Sequence, residues 1–318
     1  TKQLQKFETW VVDWKQNHKN YLKDREGNFN SRLAELANIL DTKEISSYLS
    51  GIDNLILIPH RDLHLLPLEV LFSGQFSVSR LPSAQIGIAR VTHNSKLDRA
   101  KIFSSFPAQL EKNVSLLSVE NPRNDLRFAS IESSAICQFY PPFKHLQGQE
   151  ATKDKVTAAL ETYISHGAFH FTGHGYHNID EPLESALCLA NEEYLTLRNI
   201  FGLDLSRYQL VCLSACETGI TGKRDLIDEF VGLASGFLSA GATCVTSSLW
   251  AVNDLSTALF MIKFYENLKF YSSVPLALNA AQIWLRESTQ ADLLAWSRQL
   301  SLEQRFKKKI EASLDWYN

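Results

Sequence analysis

Short apolar runs bounded by turn signals, alternating with segments of helical periodicity, constrain this chain most. Gly167 to Thr172 and Gln209 to Ser214 read as buried strands, with further strands at Val114 to Val119 and near residue 243. Helical spacing appears at Ile131 to Tyr140, Lys153 to His166, Phe230 to Ala240, Leu255 to Leu268 and Val274 to Glu287. Strands and helices that alternate in this way predict an α/β fold, a mostly parallel sheet with helices on both faces. Upstream, Gln3 to Leu22 and Asn30 to Leu40 predict helices, and residues 51 to about 106 hold short apolar runs separated by Pro59, Pro67 and Pro82. The expected division is a helical segment over 1–50, a smaller α/β subdomain over 51–112 and the main α/β domain over 113–318. The tail from Gln290 to Trp316 reads as one or two amphipathic helices, with the Arg305 to Lys309 charge run as a solvated face.

Strand ends are where the chemistry gathers. In open parallel sheets, sites form at the carboxyl ends of strands, where loops project side chains from a rigid frame. His174 follows the first run in Phe169-His170-Phe171-Thr172-Gly173-His174-Gly175, and Cys216 follows the second in Leu213-Ser214-Ala215-Cys216-Glu217-Thr218-Gly219. A thiol attacks as thiolate, and a neighbouring imidazole removes its proton, so the pair predicts Cys216 as nucleophile and His174 as base. Gly173 and Gly175 allow close backbone approach or a positive φ. The backbone N–H groups of Gly175 and Cys216 are the expected oxyanion donors. Cys137, Cys188, Cys212 and Cys244 lack a chemical motif and read as small core residues. A metal centre built on His170, His174 and His177 is disfavoured, because His170 lies within the strand and His174 beyond it. No metal or cofactor is expected.

The strings His-Phe-Thr-Gly-His-Gly and Leu-Ser-Ala-Cys-Glu-Thr-Gly resemble the histidine and cysteine motifs of CHAT peptidases, caspase-like proteins often joined to TPR repeats. Glu229 to Trp250 resembles the helix and strand that follow the cysteine in that family, and Asn54 to Leu71 its amino-terminal strand. The resemblance covers roughly residues 50 to 290. It implies a caspase-like three-layer α/β/α sandwich, with residues 51–112 as an inactive caspase-like half. It further implies a cysteine endopeptidase with a Cys216–His174 dyad and a thioester intermediate, acting on a protein partner. Separases are similar in fold and hold a basic P1 residue with an acid shortly after a Leu-Trp motif. Asp254 falls there, which makes it the S1 candidate; Asp254 or Asn253 is equally well placed to cap the helix from Leu255. A narrower resemblance, to the TPR-CHAT peptidases that partner RNA-guided type III-E CRISPR effectors, implies control by a ribonucleoprotein. The segment from Gly219 to Asp228 is expected either to order when a regulator or substrate binds or to be an ordinary surface connection. A caspase-like scaffold without turnover and a cysteine acyltransferase are the rival functions.

Charge and composition narrow the partners. Thirty-two basic and 35 acidic residues give a net charge of −3, with no global attraction to nucleic acid or anionic membrane. Direct binding to either is not expected. A run of about 18 uncharged apolar residues is lacking, as are signal-peptide features, and five cysteines lie without framework spacing. A cytoplasmic protein is expected. The first residue is Thr1, so the chain reads as a fragment whose upstream part would carry the TPR repeats.

Overall fold

The computed structural model describes residues 2–23, 28–72, 74, 76–87, 114–163, 167–178, 180–215, 232–250 and 252–314. Contacts divide the chain into two compact units, Thr1–Leu81 and Pro82–Asn318.

The first unit contains helices α1 (Lys2–Lys23), α2 (Asn28–Ile39) and α3 (Thr42–Ser47), then strands β1 (Asn54–Leu57) and β2 (Ser77–Arg80), paired in parallel. Two 3₁₀ turns, Arg61–Leu65 and Leu68–Phe72, join the strands. Trp10 and Trp14 lie one helical turn apart on α1 and stack at 5.2 Å, so a single face of that helix is buried. Arg80 fixes the turns. Its guanidinium donates to both carboxylate oxygens of Glu69, at 2.6 and 2.8 Å, and to the carbonyls of His64 and Leu66, each at 2.7 Å. The predicted helical segment and the first predicted strand thus fall in one compact unit.

The second unit is built on a five-stranded sheet that is parallel throughout. Its strands are β3 (Ser115–Glu120), β4 (Phe143–Gln147), β5 (Gly167–Thr172), β9 (Tyr208–Ser214) and β10 (Cys244–Ser247), in the order β10-β9-β5-β3-β4. Between β5 and β9 lies a small antiparallel ribbon, β6 (Gly175–Tyr176), β7 (Ala186–Cys188) and β8 (Tyr194–Thr196). The helices are α4 (Ala129–Phe139), α5 (Lys153–Thr162), α6 (Leu197–Phe201), α7 (Leu233–Ser239), α8 (Asp254–Asn267), α9 (Val274–Glu287), α10 (Gln290–Gln299) and α11 (Gln304–Leu314).

Alternation along the strands sorts the core into two layers. Leu117, Val119, Phe169, Phe171, Val211 and Leu213 face α5, α6 and α7. Leu116, Ala168, Leu210 and Cys212 face α4, α8 and α9. A third apolar cluster packs α10 and α11 against α4 and α8. The strand order carries the functional consequence. From β3 the chain runs through α4 to β4, then returns through α5, on the opposite face, to β5 on the other side of β3. Strand order therefore reverses between β3 and β5, and in open parallel sheets sites form outside the carboxyl ends of the strands at such a reversal.

Candidate active site

His174 stands at that reversal. The register pairs Thr172 on β5 with Ser214 on β9, and the Gly173 N–H donates to the Ser214 carbonyl at 3.2 Å. His174 lies two residues beyond Thr172, as Cys216 lies two beyond Ser214. Cys216 and the segment from Gly219 to Asp228 lie outside the described residues. The backbone of His174 is anchored by its carbonyl, which accepts from the Cys188 N–H at 2.9 Å. That bond makes Gly175 and Leu187 a non-hydrogen-bonded pair of the ribbon, so the Gly175 N–H points away from β7.

A carboxylate that sequence reasoning missed completes the arrangement. Asp125 lies in the loop between β3 and α4, and both of its carboxylate oxygens are 2.9 Å from His174 Nε2. A carboxylate only accepts, so Nε2 carries the proton and Nδ1 is left as the acceptor. The side chains are 38% and 55% exposed, so their attraction is screened and contributes little to stability. The pair instead sets the tautomer and aim of the ring. Its signal in the sequence was positional: Glu120-Asn121-Pro122 reads as a turn at the end of the strand that neighbours β5.

The other predicted residues take distinct places. His170 is wholly buried, with Nε2 3.0 Å from Glu132 Oε1, and the Thr172 hydroxyl donates to the same oxygen at 3.1 Å. This cluster ties the end of β5 to α4. His177 Nδ1 lies 3.5 Å from the Ser185 hydroxyl. The three histidines therefore serve three different partners, and among the described residues no group of three His, Cys, Asp or Glu side chains converges as a metal site. Asn253, through Oδ1, caps α8 by accepting from the N–H groups of Leu255 and Ser256 at 3.1 and 3.2 Å. Asp254 Oδ2 accepts from the N–H groups of Arg127 at 2.8 Å and Phe128 at 3.0 Å.

Of the four described cysteines, three have thiols made harder to ionise. Burial pushes Cys137 up to about 11 and raises Cys212 and Cys188 as well. At Cys188 the Arg123 guanidinium opposes that shift and the Asp125 carboxylate adds to it. Beside His174 the ribbon presents aromatic surface: Tyr176 and Tyr194 pack edge to face at 6.1 Å, and Arg123 lies 5.4 Å over the Tyr194 ring.

The CHAT domain profile matches residues 31–306. This chain belongs to the CHAT domain family. Two solved structures are similar to it at low identity. A complex of the pro- and mature domains of Porphyromonas gingivalis RgpB superposes with a TM-score of 0.54 at 12% identity, covering 81% of the CHAT chain and 66% of that chain. The Saccharomyces cerevisiae separase–securin complex gives 0.53 at 17% identity, covering 79% of the CHAT chain and 16% of the other. No curated protein matches. These likenesses establish the CHAT chain's fold as caspase-like, a parallel sheet flanked by helices. No described helix is long and apolar enough to cross a membrane.

Proposed function

We propose that this CHAT chain is a cysteine endopeptidase in which Cys216 is the nucleophile, His174 the base and Asp125 the group that orients the base. The observation that carries the reading is His174 itself, held above the strand-order reversal with Nε2 on Asp125. With Nε2 protonated, Nδ1 takes the thiol proton, and the thiolate adds to the scissile carbonyl. The N–H groups of Gly175 and Cys216 receive the oxyanion, each worth roughly 3 to 4 kcal/mol of barrier. Collapse of that adduct breaks the C–N bond while His174 returns the proton to the leaving amine. Water, deprotonated by His174, then hydrolyses the thioester and restores the thiol.

The substrate in this reading is a protein partner, and the motif resemblance extends it to control by a partner complex, an RNA-guided one included. The test combines an iodoacetamide-type probe with peptides bearing Arg, Lys, Leu or Asp at P1. Wild type, Cys216→Ala, His174→Ala and Asp125→Ala are compared. Wild type alkylates at Cys216 ahead of every other thiol and cleaves; the Cys216 and His174 variants do not cleave; Asp125→Ala loses about 10²-fold in kcat. Alkylation of Cys216 no faster than that of Cys137 or Cys212 would overturn the proposal in favour of a scaffold.

A further inference from the structure

A histidine that is 38% exposed keeps one ring orientation only if its partner is held still. Asp125 lies on a loop, yet both ends of that loop are fastened. At the first end the Asn121 N–H donates to the Thr172 carbonyl at 2.7 Å. Asn121 Oδ1 accepts from the N–H groups of Asp125 and Leu126 at 3.2 and 3.3 Å, and its Nδ2 donates to the Leu126 carbonyl at 3.1 Å. At the other end, side chains from distant helices grip the backbone of Arg127. Its N–H donates to Asp254 Oδ2 on α8, and its carbonyl accepts from Lys309 Nζ on α11 at 2.6 Å. Phe128, the N-cap residue just before α4, provides no side-chain cap; Asp254 Oδ2 takes its N–H instead. Asp254 is also the first residue of α8, so its carboxylate lies at the amino ends of two helices, where negative charge is favoured.

We infer that Asp254 is a positioning residue: with Lys309 it clamps the Asp125 loop, and through Asp125 it fixes the ring of His174. The inference rests on the reading of His174 as the base. It gives Asp254 work that a substrate-pocket acid would not do, since Oδ2 already accepts two backbone bonds. The network joins residues more than 120 positions apart, so a change at α8 or α11 is felt at the base.

The test uses the full chain and two readouts. The first is the order parameter of the His174 ring Cε1–H from ¹³C relaxation, which needs no turnover. The second is kcat and KM on the P1 panel. Asp254→Ala lowers the order parameter from about 0.85 towards about 0.6. It lowers kcat by a common factor of about ten or more for every P1 residue, with KM little changed. Asp254→Asn, which keeps an acceptor oxygen, restores most of both, and Lys309→Met moves both the same way by less. An unchanged ring in Asp254→Ala, or a loss confined to Arg and Lys peptides through KM, would overturn the inference and assign Asp254 to the substrate pocket. If Asp254→Ala does not fold, Lys309→Met decides by the same ring measurement. If wild type cleaves nothing and Cys216 alkylates no faster than the buried thiols, the peptidase reading fails, while the order parameter still decides the clamp.

Discussion

Gly173 shows how tightly the residue before His174 is specified. A Cβ there would lie 2.6 Å from Phe171 Cζ, 2.9 Å from Phe171 Cε1 and 3.2 Å from Pro122 Cδ. The reason for glycine is therefore steric. Phe171 is fully buried and Pro122 lies in the Asp125 loop, so neither yields without disturbing the core or the carboxylate. Gly173→Ala is expected to destabilise the chain by about 1 to 3 kcal/mol through overpacking, and to reduce kcat by moving His174 off Asp125. Urea unfolding and single-substrate kinetics check both effects. A variant with the wild-type midpoint and kcat would show that the Phe171 ring can swing aside. The same economy governs sulfur. Burial holds Cys137, Cys188 and Cys212 as thiols, so alkylation of the native protein has few fast targets among the described residues.

At the scale of elements, legibility in the sequence followed burial at β5, whereas the edge strand β10 was legible although none of its four residues is fully buried. β5 lies at Gly167–Thr172, as its run predicts, because all six residues are buried and the run has no polar face to blur its limits. The helices α4, α5, α8 and α9 also lie close to their periodic segments. β4 left no such trace: it is one of the two edge strands, and only Leu146 of its five residues is buried. The ribbon β6 to β8 escaped for another reason, since strands of two or three residues are shorter than any readable period. Half of the candidate site was legible because glycine-flanked His174 ends a strong strand. Asp125 was hidden in a polar loop whose value depends on the neighbouring strand. Helix packing yields its own prediction. A Cβ on Gly236 of α7 would meet Leu197 Cδ1 of α6 at 2.1 Å, and Leu197 is completely buried. Gly236→Ala is expected to cost about 1 to 3 kcal/mol, and pairing it with Leu197→Ala should cost less than the sum of the two single changes. Strict additivity in urea unfolding would show that the two helices do not meet there.

For the whole molecule, two compact units mean that unfolding need not be a single transition, and acid should weaken the first unit by itself. His64 belongs to the first unit, where burial, and then the charge of Arg80, lowers its pKa from 6.5 to about 4. Above pH 6.5 the imidazole is neutral in both folded and unfolded chain, and its contribution to stability is complete. Between 6.5 and about 4 the unfolded chain binds a proton that the folded unit excludes, so stability falls as pH falls, by at most about 3 kcal/mol. Below that window both states are protonated and the loss stops growing. Hydrogen exchange on the full chain at pH 7 and pH 4.5, corrected for intrinsic rates, should therefore show β1, β2 and the turns between them losing protection at the lower pH. His64→Gln should flatten that dependence, because the carbonyl that Arg80 grips belongs to the backbone and survives the change. Equal corrected protection of residues 54–80 at the two pH values in the wild type would show that the folded unit admits the proton after all, and that Arg80 and Glu69 hold the turns without help from a neutral His64.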